Sequence, residues 1–110
     1  MRILMLLACL MILPNLMANE IDRLLPLTVI AIHQLDDESN ASFDFITAER
    51  VHQCGGKASG RFRVYSRHSA VAERRFQITL HALNGVGKLQ IRAIGCEGNA
   101  MKVDQVGMIR

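Results

Sequence analysis

The pattern of apolar and polar residues predicts a chain of five β-strands and one helix. The sharpest alternation begins at Arg61: Phe62 and Val64 share one face of the segment. Its other face carries three polar residues, Arg61, Arg63 and Tyr65. Apolar, β-branched or alternating runs indicate the remaining strands. The five strands are predicted at residues 24–35, 41–47, 61–66, 88–94 and 101–109.

A helix is predicted between the third and fourth strands. Ser69 is a suitable helix cap, and apolar residues follow at the spacing of one helical face. These apolar positions are Ala72, Phe76, Leu80 and Leu83. Arg74 and Arg75 are expected on the solvent-exposed face of the helix. Asn84 and Gly85 end the helix, because both residues accept the left-handed conformation that closes many helices. Residues 49–60 contain three glycines and are expected to form a loop, and residues 96–99 are expected to form a turn between the last two strands.

The order strand, strand, strand, helix, strand, strand is typical of a five-stranded OB-like Greek-key barrel, in which the helix plugs one end. Closure of the sheet would also remove most of its exposed edges. The alternative is an open α+β sheet with one helix packed across it. The alternation of apolar and polar residues does not distinguish these two architectures. It indicates which face of each strand is buried, but not whether the two outer strands pair with each other.

The first 18 residues have the order of a secretory signal peptide. Arg2 precedes the apolar run 3–13, and the small residue Ala18 offers a cleavage position. We therefore expect a cleaved leader at residues 1–18 and a single domain at residues 19–110, exported to a periplasmic or extracellular location. Two alternatives stay open, a buried amino-terminal helix and a lipoprotein that is acylated at Cys9.

The charge and length narrow the classes of function. The chain has 110 residues and a formal net charge of +3, of which Arg2 contributes one. So small an excess of positive charge makes no strong case for a nucleic-acid partner. No second long apolar run is present, so no membrane span is expected in the mature chain.

Cys54 and Cys96 are an even pair once Cys9 leaves with the leader, and an exported chain meets an oxidising environment. A disulfide between them is therefore expected. The alternatives are two free thiols or a metal site that uses His52 and Cys54. No CxxC or HExxH motif accompanies these residues, so we expect no metal.

Five segments form a recognisable pattern: Cys54-Gly55-Gly56, Arg61-Phe62-Arg63-Val64-Tyr65, Ala82-Leu83-Asn84-Gly85, Gly87-Lys88 and Cys96. In this pattern the chain resembles small exported bacterial proteins of uncharacterised function. More distantly, the layout is similar to the OB-fold receptor-binding B subunits of subtilase-type bacterial toxins. The resemblance covers residues 50–110 and implies the fold. It transfers no functional residue to this sequence.

The basic and aromatic face of the third strand is the first candidate for a ligand-binding site. Two guanidiniums beside a phenol can hold a carboxylate, a phosphate or a sugar. The candidate residues are Arg61, Arg63, Tyr65 and Arg92. The alternative is a solvated outer face, on which the arginine stems simply cover apolar surface.

The chain carries no GxSxG, P-loop or GxGxxG motif, and its four histidines have no metal-ligand spacing and are expected at the surface. We therefore expect no cofactor. The leading hypothesis is an exported, non-enzymatic binding module for a small anionic ligand, a glycan or a protein partner. A structural or assembly subunit that forms a homo-oligomer is the second hypothesis, and a small secreted hydrolase is the third.

Overall fold

The computed structural model describes residues 26–35 and 41–110. The expected leader at residues 1–18, its cleavage after Ala18 and the acylation alternative at Cys9 lie outside these residues. The elements are β1 (Val29–Gln34), β2 (Ala41–Thr47), a short 3₁₀ helix (Cys54–Gly56), β3 (Arg61–Ser66), α1 (Ser69–Leu83), β4 (Lys88–Glu97) and β5 (Ala100–Ile109). Their order confirms the prediction of a mostly β chain with five strands and one helix.

The strands form one mixed sheet in the order β1-β2-β3-β5-β4. The pairs β1–β2, β2–β3 and β4–β5 are antiparallel, whereas β3 and β5 are parallel. The parallel pair is possible because α1 and β4 form the long crossover that two parallel neighbours need. It places the two central strands side by side although more than thirty residues separate them.

The sheet is not closed into a barrel. β1 and β4 are its two edge strands, and within the described ranges only a bridge just before β1 brings the edges together. There the Leu27 amide donates to the Leu89 carbonyl at 2.8 Å, and the Leu89 amide donates back at 2.9 Å. Each edge strand also contains a bulge in the ladder with its neighbour, at Ile30 opposite β2 and at Ile94 opposite β5. The open α+β alternative therefore describes the sheet better than the closed barrel.

The core lies between the helix and one face of the sheet. Phe45 and Phe62 stack with ring centroids 5.1 Å apart, and Phe43 meets Phe76 of α1 edge to face at 5.4 Å. The other buried apolar side chains come mainly from the strands: Leu27, Val29, Val64, Leu89, Ile91, Ala93, Met101 and Val103. Most of these residues stand at the alternating positions that form the apolar face of a strand. The alternation of apolar and polar residues therefore predicted most of the core.

The helix differs in detail from the predicted apolar face. Ala72 is buried and Phe76 packs against the core, as expected, but Leu80 does not belong to the core cluster. Thr79 takes the fully buried position instead. Its hydroxyl donates to the Arg75 carbonyl one turn earlier at 2.8 Å, so burial leaves no unsatisfied polar group there.

A disulfide joins Cys54 to Cys96, with the two Cα atoms 5.5 Å apart. It connects the short 3₁₀ helix to the end of β4. Gly55 makes the approach possible: its φ is +80°, and a Cβ there would lie 3.1 Å from the Cα of Asn99 in the β4–β5 turn. The turn itself is shorter than expected, because Cys96 and Glu97 still belong to β4.

Candidate functional site

β3 carries Arg61, Arg63 and Tyr65 on the face of the sheet that is turned away from the core, as the alternation predicts. Phe62 and Val64 between them are buried. Because β3 has β2 on one side and β5 on the other, its polar side chains lie in the middle of the sheet and not at an edge.

Asp44 forms salt bridges with both Arg61 and Arg63. It is directly opposite Arg63 on β2, and its side chain is 0% exposed. Arg63 Nε donates to Asp44 Oδ1 at 2.7 Å and Arg63 Nη2 to Oδ2 at 3.0 Å, a bidentate pair. Arg61 Nη1 donates to the same Oδ2 at 2.7 Å. One buried carboxylate thus holds two guanidiniums in place.

Glu97 completes the arrangement from the end of β4. Arg63 Nη1 donates to Glu97 Oε1 at 2.8 Å, and the Tyr65 hydroxyl donates to the same oxygen. The Glu97 side chain is 40% exposed, so this end of the network faces solvent. We call Asp44, Arg61, Arg63, Tyr65 and Glu97 the polar cluster.

The ionisation of the polar cluster follows from these contacts. Burial by itself raises the pKa of Asp44, but the hydrogen bonds from Arg63 and Arg61 outweigh it, and the pKa lies below its usual value. The hydrogen bond from Tyr65, together with that from Arg63, lowers the pKa of Glu97. The same bond to Glu97 raises the pKa of the Tyr65 phenol. Both carboxylates are therefore ionised at neutral pH and Tyr65 keeps its proton.

The chemistry of this surface is mixed. Each guanidinium already faces a carboxylate, so a simple anion has to compete with Asp44 and Glu97 for the same N–H groups. A ligand that both donates and accepts hydrogen bonds meets complementary groups instead, since the cluster combines guanidinium donors, a carboxylate acceptor and an aromatic ring.

Arg92 makes its salt bridge elsewhere. Its Nε and Nη2 donate to the two carboxylate oxygens of Asp104 at 2.8 and 2.7 Å. Its register partner on β5 is Gln105, whereas Arg63 lies beside Lys102 on that strand. The structure therefore brings Arg61, Arg63 and Tyr65 into one cluster, while Arg92 forms a second charged pair with Asp104.

Arg75 of α1 positions the end of β3. Its Nη1 donates to the Tyr65 carbonyl and its Nη2 to the Asp104 carbonyl, both at 2.8 Å. The parallel pairing of β3 and β5 reaches Val64 and Val103, and the guanidinium bridges the two backbones just beyond that point. The expectation that Arg75 simply lies on the wet face of the helix is thus wrong.

The sequence reasoning missed Asp44 and Glu97 as members of the site. A signal existed for Asp44, because a charged residue between Phe43 and Phe45 must point away from an apolar face. Glu97 had no such signal, since the segment around it was expected to be a turn.

His52 is buried, in contrast to the expectation of a surface residue. Its Nδ1 accepts from the Cys54 amide at 3.2 Å, which makes Nε2 the protonated nitrogen that donates to the Arg61 carbonyl at 2.6 Å. Burial lowers the pKa of the imidazole. His52 therefore joins the disulfide loop to β3 as a neutral structural side chain.

Within residues 26–35 and 41–110, no group of three or more His, Cys, Asp or Glu side chains is arranged to hold a metal ion. In the same part of the chain, no helix has the length and apolar character needed to cross a membrane. Comparison with protein-family models, with curated proteins and with solved structures found no match to this chain.

Proposed function

We propose that this protein is an exported, non-enzymatic binding module and that the polar cluster is its ligand-binding surface. The glycan is the ligand class that fits best among a small anion, a glycan and a protein partner. The observation that carries this proposal is the pairing of Arg61 and Arg63 with Asp44 and Glu97 beside the Tyr65 ring. Sugar hydroxyls donate and accept at once, so they can use both kinds of group.

Export is supported by two independent features. The pattern of residues 1–18 is that of a secretory leader, and Cys54 is bonded to Cys96. Disulfides form and persist in oxidising compartments such as the periplasm or the extracellular space. The exported location and the binding role together form the proposal.

A glycan array tests the ligand class directly. The protein is expressed from the full 110-residue sequence, purified in oxidised form and labelled. We expect retention on a restricted set of glycans and, by calorimetry, an affinity that falls about tenfold or more in Glu97→Gln, because hydrogen bonds to a charged group contribute about 1.5–3 kcal/mol. Tyr65→Phe should weaken binding less, since it keeps the ring.

Arg74→Ala is the matched control, because Arg74 is an exposed arginine of α1 that lies outside the polar cluster. Its affinity should equal that of the unaltered protein. An array with no retained glycan, or a Glu97→Gln variant that binds as well as the parent, would show that this surface does not recognise glycans.

A structural or assembly subunit is the second candidate, and the open sheet favours it. β1 and β4 are the edge strands of the sheet, and among residues 26–35 and 41–110 only the Leu27–Leu89 bridge joins these edges, which can pair with a second chain. Light scattering coupled to size-exclusion chromatography measures the molar mass in solution and so tests whether the chain forms an oligomer. A stable monomer across the accessible concentration range would remove this candidate.

A further inference from the structure

A recess of about 260 Å³ lies between the first turns of α1 and the ends of β1 and β2. Four of its lining residues, Ser69, Ala72, Glu73 and Phe76, follow the spacing of one helical face. Phe43 lines it from β2. The volume is slightly below the range of about 300–1,000 Å³ for drug-sized ligands, so it suits a small molecule with a single ring.

The recess is not part of the polar cluster. Phe43 and Asp44 are neighbours on β2, so their side chains point to opposite faces of the sheet. Phe43 faces the helix and the recess, while Asp44 faces the arginines of β3. A ligand in the recess is therefore independent of the proposed function, and each can be tested without the other.

The wall of the recess is apolar and aromatic. Ala72 is buried, and the ring of Phe76 meets that of Phe43 edge to face. An edge-to-face pair presents aromatic surface that attracts both apolar groups and cations. The wall thus favours an apolar body over a strongly hydrated one.

The polar lining of the recess consists of one carboxylate, one amide and two serine residues. Glu73 is the only ionisable side chain among the described residues that line it. Gln34 Nε2 donates to the Ser42 carbonyl at 2.8 Å, which leaves the amide oxygen of Gln34 as an acceptor. A carboxylate and an amide oxygen beside aromatic rings match an N–H donor that carries a positive charge.

We infer that this recess binds a small amine, a molecule with an apolar ring and a protonated nitrogen. The ring packs against Phe43 and Phe76, and the ammonium pairs with Glu73. The recess discriminates by charge, because a neutral molecule of the same shape makes the apolar contacts but lacks the ion pair.

Three probes of nearly equal shape test the inference by NMR titration of the oxidised, ¹⁵N-labelled protein expressed from the full sequence. They are cyclohexylmethylamine, cyclohexylmethanol and cyclohexanecarboxylate. We expect the amine to shift the amide signals of residues 69–76 and to bind at least fivefold more tightly than the alcohol. The carboxylate should cause no saturable shift at these signals.

Glu73→Gln removes the charge at an exposed position and should reduce the affinity for the amine to that for the alcohol. Arg74→Gln alters a neighbouring exposed charge outside the recess and should keep the preference for the amine. Equal binding of amine and alcohol, an unchanged amine affinity in Glu73→Gln, or no shift with any probe would overturn the inference.

Discussion

At the scale of single residues, Asp44 organises the outer face of the sheet. A carboxylate with no exposed surface is costly to bury unless it is paired, and Asp44 meets two guanidiniums through three hydrogen bonds. The arginines that the alternation singled out are thus parts of an ion-pair network. Any ligand at this surface meets a network that is already formed, which reduces the ordering that binding requires.

Replacing the buried carboxylate should cost more than replacing an exposed one. Asp44→Asn leaves Arg61 and Arg63 without their shared counter-charge, and we expect a loss of about 2–3 kcal/mol in the free energy of unfolding. The expected loss is smaller than the loss from breaking a fully buried ion pair, because both guanidiniums retain some solvent contact. Urea denaturation followed by circular dichroism measures it.

Asp104→Asn is the matched control for that experiment. Its partner Arg92 is 58% exposed, so we expect a loss of no more than about 1 kcal/mol. Equal losses in the two variants would mean that burial of Asp44 does not strengthen its role in the fold.

His52 predicts a pH dependence of stability. Burial lowers the imidazole pKa in the folded protein, while the unfolded chain keeps a value near 6.5. The unfolded state therefore binds the proton more readily, so the contribution of His52 is complete above about pH 6.5 and is lost as the pH falls through the folded pKa. Urea midpoints measured between pH 8 and pH 5 should decrease below about pH 6.5.

The variant His52→Gln should lose this slope, although its stability is lower throughout. His81→Gln alters an exposed histidine of α1 and should keep the slope of the parent. A parent protein whose urea midpoint does not change over this range would contradict the prediction.

At the scale of elements, the length of β4 decides the composition of the site. The bulge at Ile94 and the positive φ of Gly95 let the strand continue to Glu97, where a turn was expected. That extension carries Cys96 to Cys54 and Glu97 to Arg63. The covalent bond and the solvent-facing end of the polar cluster thus depend on the same irregular strand end.

The disulfide should contribute strongly to stability. It closes a loop with a sequence separation of 42 residues, for which chain entropy gives about 4 kcal/mol. We expect the double variant Cys54→Ser/Cys96→Ser to lose most of that free energy of unfolding in urea. Dithiothreitol should lower the stability of the parent by a similar amount and leave the double variant unaffected, whereas an equal response of both proteins would contradict this prediction.

At the scale of the whole molecule, helix α1 and the open sheet of the described residues enclose one core. α1 contacts all five strands, so it packs across one face of the sheet. This arrangement leaves the outer face for the polar cluster and places the amine recess at the junction of helix and sheet. Two chemically different surfaces therefore lie on opposite sides of a small domain.

The sequence by itself determined the number and order of the elements, the faces of β3 and most of the core. These features depend on local alternation and spacing, which each segment contains within itself. It also indicated the disulfide, because Cys54 and Cys96 leave a single pairing once Cys9 is removed with the expected leader.

Only the tertiary structure decided which distant residues meet. The parallel pairing of β3 with β5 and the extension of β4 bring Glu97 to Arg63 across 34 residues, and the β2–β3 register brings Asp44 to Arg61 across 17. Whether the sheet closes was also decided at this level, since β1 and β4 lie at opposite edges and, in the described part of the chain, only the Leu27–Leu89 bridge joins them. Such contacts depend on strand order and register. The periodicity of apolar and polar residues along the chain specifies neither of these.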